Sequence, residues 1–251
     1  MTGKNPKYLL YNNKFYQLDE PVFKASNRSF RYGDGIFETI RVIRGQIHLF
    51  EYHMDRLFNG VDFLKIELPS NWNRDFFKKK IWELLEKNGE NRNGKIRLSI
   101  FRADGGYYTP KSSKGNVLIE FEEYNSDDFI LNKKGLKVEV FSEMEKACNL
   151  YSNFKTSNAM IYVLASIFKK EERLDDCFIV NSQNRIAEGI SSNIFIVKDG
   201  QLTTPPLSEG CVAGVMRSHV LDIMQDNDIE YKVAPILLED LFQAQEVFLT
   251  D

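Results

Sequence analysis

The stretch Phe154-Lys155-Thr156-Ser157-Asn158-Ala159-Met160 holds one lysine at a junction. Upstream of it, Gly135 to Ser142 alternates as a strand does. Downstream, Met160, Val163, Leu164, Ile167 and Phe168 recur at helical spacing. The pattern places Lys155 where a helix begins. An amine held near a helix N-terminus and apolar neighbours is disposed to lose its proton, and a neutral amine can form a Schiff base with a carbonyl. The same residue read alone also suits a lysine lying along the surface with its ammonium in water. The remainder of the chain has to decide between the two.

Working outward, the N-terminal half opens with a short apolar strand, Tyr8 to Asn12, closed by an Asn12-Asn13 turn. Gly33-Asp34-Gly35 predicts a tight turn, and the β-formers from Ile36 to Arg44 a strand that Gly45 turns into a second, Gln46 to Phe50. Met54, Leu57, Phe58, Val61 and Leu64 share one helical stripe, with Arg56 on its flank. A second helix runs from about Trp72 to Lys87, with Gly89 as its stop. Strands follow at Ile96 to Arg102 and Val117 to Glu122, separated by the loop Gly105-Gly106-Tyr107-Tyr108-Thr109-Pro110. Residues 123–130 read as an interdomain linker. In the C-terminal half a hairpin (Cys177 to Asn181, Arg185 to Gly189) and two strands (Asn193 to Val197, Gln201 to Thr204) precede Pro205-Pro206 and a helix from Val215 to Asp226. Strand-rich halves with inserted helices imply an α+β protein of two subdomains, residues 1–122 and 131–251.

The bulk properties narrow the function classes. The 251 residues suffice for a substantial core, and 43% hydrophobic with 27% charged residues is ordinary for a globular protein. A net charge of −3 without a long basic block argues against nucleic-acid binding. No apolar run reaches membrane-span length, and the N-terminus lacks a signal-peptide core. Cys148, Cys177 and Cys211 are odd in number and widely spaced, which suits a reducing, cytoplasmic compartment, and the three histidines have no metal-ligand spacing.

Besides Lys155, three polar features lie at junctions or element edges. Glu188 ends a hairpin strand, Arg56 flanks a helix, and Gly214-Val215-Met216 opens one, where free backbone N–H groups and the helix dipole attract a phosphate. A phosphorylated aldehyde cofactor needs such a set: an amine for its aldehyde, a carboxylate for a pyridine nitrogen, and an arginine and a helix start for its phosphate. Each feature alone has a plainer reading, Glu188 as a hairpin ion pair and Gly214 as a turn.

The chain resembles the class IV aminotransferases, the fold-type IV pyridoxal-phosphate enzymes that include branched-chain and D-amino-acid aminotransferases and aminodeoxychorismate lyase. The resemblance rests on Tyr32-Gly33-Asp34-Gly35-Ile36-Phe37-Glu38-Thr39-Ile40-Arg41, His53-Met54-Asp55-Arg56-Leu57 and Lys155. It continues through Glu188-Gly189, Ser192-Asn193-Ile194-Phe195, Thr204-Pro205-Pro206 and Gly214-Val215-Met216-Arg217. It implies a small α/β domain, a larger β-rich pseudo-barrel domain like that of D-amino-acid aminotransferase, pyridoxal 5'-phosphate as cofactor, and a homodimer acting on a small amine or amino acid. By the same resemblance Lys155 would carry the cofactor and move the proton, and Glu188 would pair with the pyridine N–H. Arg56 and the backbone N–H groups of Val215 and Met216 would bind phosphate, with Ser192, Asn193 and Thr250 as further cofactor contacts. Tyr32, Arg97 and Tyr107 are the candidates for substrate binding.

Local details lean towards the lyase. Branched-chain enzymes usually carry a tyrosine five residues after the lysine, bonded to the cofactor's phenolic oxygen; here that position is Met160, which cannot donate. Lys155 followed by Asn158, Gly214-Val215-Met216-Arg217, and Arg102 followed by Gly105-Gly106 all resemble the lyase pattern. One departure is Tyr107, where the lyases have an arginine after the paired glycines; Arg97 could take a substrate carboxylate as a bidentate fork. In the family the strand Val247-Phe248-Leu249-Thr250 leads into a turn that adds phosphate and carboxylate contacts. If nothing follows Asp251, binding is expected to be weaker than the family norm.

Overall fold

The computed structural model describes residues 7–89, 93–124 and 133–251. The chain divides into two compact units, Met1–Ile130 with Lys155–Asn158, and Leu131–Phe154 with Ala159–Asp251. Of the segment read as a linker, residues 125–130 lie outside the described residues, and Glu123 is the last residue of a strand.

The first unit is built on one antiparallel sheet. Its elements are β1 (Tyr8–Tyr11), β2 (Lys14–Gln17), α1 (Arg28–Tyr32), β3 (Gly35–Ile43), β4 (Gln46–Ile47), α2 (Phe50–Phe63), α3 (Arg74–Asn88), β5 (Gly94–Arg102) and β6 (Gly115–Glu123). Strand order is β2-β1-β6-β5-β3-β4. Asn12 and Asn13 both take positive φ, as a two-residue hairpin turn requires. Asn73 caps α3 by accepting from the Phe76 N–H, and Gly89 ends it. Alternation sorts β3 cleanly. Ile36, Ile40 and Val42 are buried in a core with Ile96, Leu98 and Ile100 of β5 and the apolar stripes of α2 and α3, while Phe37, Thr39 and Arg41 take the opposite face. Glu38 therefore sits on the core side, 1% exposed. Three elements of this unit differ from the sequence expectation: β2 and α1 are additional, and the strand after Gly45 is only two residues long because Phe50 already belongs to α2.

The second unit comprises β7 (Val138–Lys146), α4 (Met160–Glu171), β8 (Asp176–Asn181), β9 (Arg185–Gly189), β10 (Asn193–Lys198), β11 (Gln201–Thr204), α5 (Val215–Asp226), β12 (Tyr231–Val233), β13 (Ile236–Leu237), α6 (Leu238–Gln243) and β14 (Glu246–Thr250). Two four-stranded sheets, β12-β11-β10-β14 and β13-β9-β8-β7, enclose a core of Phe178, Val180, Ile186, Ile194, Ile196 and Ile236. α4 packs Ile161 and Ala165 against Phe141, Cys177 and Ile179. The architecture is α+β, with an α/β unit followed by a β-rich one.

Candidate active site

Lys155 does not begin a helix. α4 starts five residues later at Met160, and residues 155–158 belong to the first unit. The reason lies in β4. It pairs only with Val42 and Ile43, so the N-terminal half of β3 keeps an open edge on that side. The segment after Phe154 fills that edge. The Phe37 N–H donates to the Lys155 carbonyl at 2.8 Å, and the Ser157 N–H donates to the Gly35 carbonyl at 2.9 Å. Lys155 is thus anchored by backbone pairing with β3. Its Nζ lies 5.2 Å from the centre of the Phe37 ring, and the Arg97 guanidinium lies 3.6 Å from that same ring. The two residues singled out from the sequence as nucleophile and carboxylate fork are therefore neighbours across one aromatic plate. Burial lowers the pKa of Arg97 and Glu120 opposes this, yet an arginine stays charged.

Asn158 explains Gly33. Gly33 takes φ +64°, and a Cβ there would meet the Asn158 amide at about 2.5 Å. Asn158 donates from Nδ2 to the Gly33 carbonyl at 3.3 Å, tying the lysine segment to the end of α1 and hence to Tyr32. The Tyr32 ring lies 5.7 Å from that of Tyr108 and 5.0 Å from the Arg28 guanidinium. Tyr107 is not gathered in with them. Its side chain is 82% exposed, and only its backbone carbonyl is engaged, accepting from Arg28 at 2.6 Å.

On the core side of β3, Arg56 forks onto Glu38, with Nε to Oε1 at 2.8 Å and Nη2 to Oε2 at 2.5 Å, while His53 Nδ1 lies 2.7 Å from Oε2. Burial by itself would raise the Glu38 carboxyl. The Arg56 charge and the hydrogen bonds from Arg56 and His53 outweigh it and hold Glu38 below the ordinary carboxylate range. Arg56 is thus locked in orientation by a partner that sequence reading had quoted without assigning it a role.

In the second unit Glu188, on β9, is 3% exposed. Its Oε1 accepts from Lys146 Nζ at 2.5 Å and from the Tyr162 hydroxyl at 2.6 Å, and its Oε2 accepts from the Val212 N–H at 2.8 Å. Lys146 also meets the Tyr162 hydroxyl. Burial and the adjacent Glu188 charge raise the Tyr162 pKa, so its hydroxyl stays a proton donor. Burial likewise pushes the Cys211 thiol up to about 12, which leaves it inert as a nucleophile. Lys146 and Tyr162 were both missed in the sequence. The available signals were a lysine closing β7 and a tyrosine seven residues beyond Lys155.

Val215 and Met216 open α5, and Asn193 reaches that helix start. A Cβ on Gly214 would fall about 1.7 Å from Asn193 Oδ1, so only glycine permits that approach. Asn193 donates from Nδ2 to the Val212 carbonyl at 2.9 Å and stands opposite Thr250 in the β10–β14 ladder. Ser192 donates to Asp176 at 3.3 Å. No side chain caps α5, and the Thr250 hydroxyl is buried without a hydrogen-bond partner. An uncapped helix start beside an orphaned hydroxyl suits a phosphate. Among the described residues no helix is long and apolar enough to cross a membrane, and no group of three or more His, Cys, Asp or Glu could hold a metal.

Comparisons with known proteins give the family. Residues 35–251 match the family of amino-transferase class IV. The chain belongs to the class IV aminotransferases and is, with that family, a pyridoxal-phosphate-dependent enzyme. A putative branched-chain-amino-acid aminotransferase of Methanocaldococcus jannaschii is 29% identical, over 95% of this chain and 82% of that protein. An aminodeoxychorismate lyase of Vibrio harveyi is 30% identical, over 92% of this chain and 84% of that one. In fold, the branched-chain aminotransferase of Thermoproteus uzoniensis matches with a TM-score of 0.87 at 22% identity, covering 98% of this chain and 84% of that one.

Proposed function

We propose that this enzyme is an aminodeoxychorismate lyase, releasing pyruvate to leave p-aminobenzoate. The observation that carries the reading is the Lys155 neighbourhood. Position 160 offers a thioether, 61% exposed, in place of the tyrosine of branched-chain enzymes, and the nearest tyrosine downstream, Tyr162, commits its hydroxyl to Glu188. Asn158, fastened to Gly33, supports the same reading.

Pyridoxal 5'-phosphate, when bound, supplies an electron-withdrawing ring for the bond cleavage. Lys155 holds the cofactor, and Glu188 receives the pyridine N–H at its carboxylate. Arg56, oriented by Glu38, takes the phosphate with the Val215 and Met216 N–H groups, and Ser192, Asn193 and Thr250 complete that cradle. Arg97 binds a substrate carboxylate beside Phe37, with Tyr32 as a further substrate contact. With the cofactor in place, the Lys155 amine would take the substrate's ring proton and return it to the departing enolpyruvyl group, so that pyruvate leaves and the ring becomes aromatic. We take the enzyme to be a cytoplasmic homodimer, in keeping with its family and with three unpaired cysteines.

Relatives named as branched-chain and D-alanine aminotransferases support a second reading, amino transfer with Lys155 as the proton carrier. Purified enzyme given aminodeoxychorismate separates the two. Pyruvate release without a keto-acid acceptor is expected; transfer from an amino acid to 2-oxoglutarate with no lyase turnover would overturn the lyase. The Lys155→Ala variant is expected to lack the borohydride-sensitive visible band of the loaded enzyme.

A further inference from the structure

The cluster behind Glu188 has a use that cofactor binding alone does not require. Glu188 is held by three donors on the protein, and they are unevenly shared. Oε1 accepts from Lys146 and Tyr162, while among the described residues Oε2 accepts only from the Val212 N–H. A carboxylate oxygen has two lone pairs, so Oε2 is the oxygen with room for another donor. Lys146 is itself 6% exposed, and it lies at the far end of β7 after the irregularity that follows Phe141. A buried ammonium is costly unless it is paired. Here it is spent on the one carboxylate assigned to the ring nitrogen.

A proton shared between Glu188 and a pyridine nitrogen can rest on either group. With the proton on nitrogen, the carboxylate is negative and the ring positive; with the proton on oxygen, both are neutral. Lys146 stands 2.5 Å from Oε1. It therefore stands closer to the carboxylate than to a group bonded at Oε2 on the other side. Its field stabilises the charged arrangement over the neutral one, and weak screening at a buried site enlarges the effect. The Tyr162 hydroxyl, kept protonated, donates in the same sense without adding charge.

We propose that Lys146 is a positioning residue that keeps the proton on the cofactor's ring nitrogen, by holding Glu188 as a carboxylate from behind. This rests on the assignment of Glu188 to the pyridine nitrogen made above. The ratio of the two protonation forms is expected to shift at least roughly tenfold when the Lys146 charge is removed.

The test uses enzyme reconstituted with pyridoxal 5'-phosphate labelled with 15N in the ring, observed by NMR. In the unsubstituted enzyme the nitrogen resonates as protonated. In Lys146→Met and Lys146→Gln it is expected to move by at least half the interval towards the unprotonated reference. Lys146→Arg is expected to restore the protonated signal. Lys146→Gln keeps a hydrogen-bond donor and loses only the charge, so it also serves where the methionine variant does not fold. A loaded enzyme whose ring nitrogen stays protonated in Lys146→Gln overturns the proposal. An unsubstituted enzyme that acquires no borohydride-sensitive band with the cofactor overturns the cofactor assignment itself, and the proposal falls with it.

Discussion

Glu38 and Glu188 are the same residue in the same predicament, solved differently. Each is a buried carboxylate beside a cation and a second polar ring: Arg56 and His53 in the first unit, Lys146 and Tyr162 in the second. Arginine's planar fork engages both oxygens of Glu38, and His53 adds a third contact on Oε2. Lysine is a point donor, and with Tyr162 it loads one oxygen of Glu188 while the other accepts a single backbone N–H. The first arrangement closes on the protein and fixes an arginine. Each carboxylate meets two donors on one oxygen and one on the other, so the contrast lies in the donors: the second puts its cation on a single oxygen and gives the other only a backbone N–H among the described residues. A fork across both oxygens fixes the arginine that makes it; a cation on one oxygen leaves the other oxygen's direction to a second donor.

The largest effect expected from breaking this contrast is on stability. Glu38→Ala removes the carboxylate from a buried guanidinium, and losing one partner of a buried pair costs about 3–5 kcal/mol. Denaturant unfolding of the cofactor-free protein measures it. A loss below about 1 kcal/mol would place Glu38 among ordinary surface acids and remove the basis of the comparison.

Glu188→Gln is expected to act on ligand binding. The amide keeps the shape of the carboxylate but loses its charge. A hydrogen bond to a charged group is worth about 1.5–3 kcal/mol, so the cofactor dissociation constant should rise about tenfold to a hundredfold. Titration of the cofactor-free variant with pyridoxal 5'-phosphate checks this. An unchanged constant would mean that the open side of Glu188 faces no part of the cofactor.

Acid gives a smaller, graded test of Glu38. Its native value is depressed, so the stability it lends is present above the unfolded glutamate value of about 4.3 and is lost as the pH falls through the native one. Unfolding free energies measured below pH 4.3 should therefore decline more steeply in the unsubstituted protein than in Glu38→Gln, by up to about 1.4 kcal/mol per pH unit. Parallel profiles would argue that Arg56 and His53 do not hold the proton off.

These contrasts also mark what could be read from the chain. The helices α2 and α3, the β5–β6 pair and the β8–β9 hairpin follow from period and turn chemistry, because each is patterned within its own residues. The position of Lys155 did not follow. Its apolar successors announce a helix, but residues 155–158 belong with the open edge of β3, more than a hundred positions earlier. Lys146 and Tyr162 were invisible for the same reason. A lysine closing a strand reads as solvated until the fold buries it against Glu188. Gly33 and Gly214 read as turns, whereas each is glycine because a distant asparagine, Asn158 or Asn193, occupies the space of a Cβ.

Thr250 gives the finest test, because its two expected effects have opposite sign. Its hydroxyl is buried and makes no hydrogen bond in the protein alone, so it carries a desolvation cost with nothing in return. Thr250→Val removes that cost with little change of shape, and the cofactor-free protein should be as stable as before or more stable, by up to about 1 kcal/mol. If the hydroxyl donates to the cofactor's phosphate, the same variant must bind pyridoxal 5'-phosphate about fivefold to tenfold more weakly, the worth of one hydrogen bond near 1 kcal/mol. A structural threonine would lose stability and leave binding untouched. A variant more stable empty and weaker loaded marks a group kept unsatisfied for a ligand.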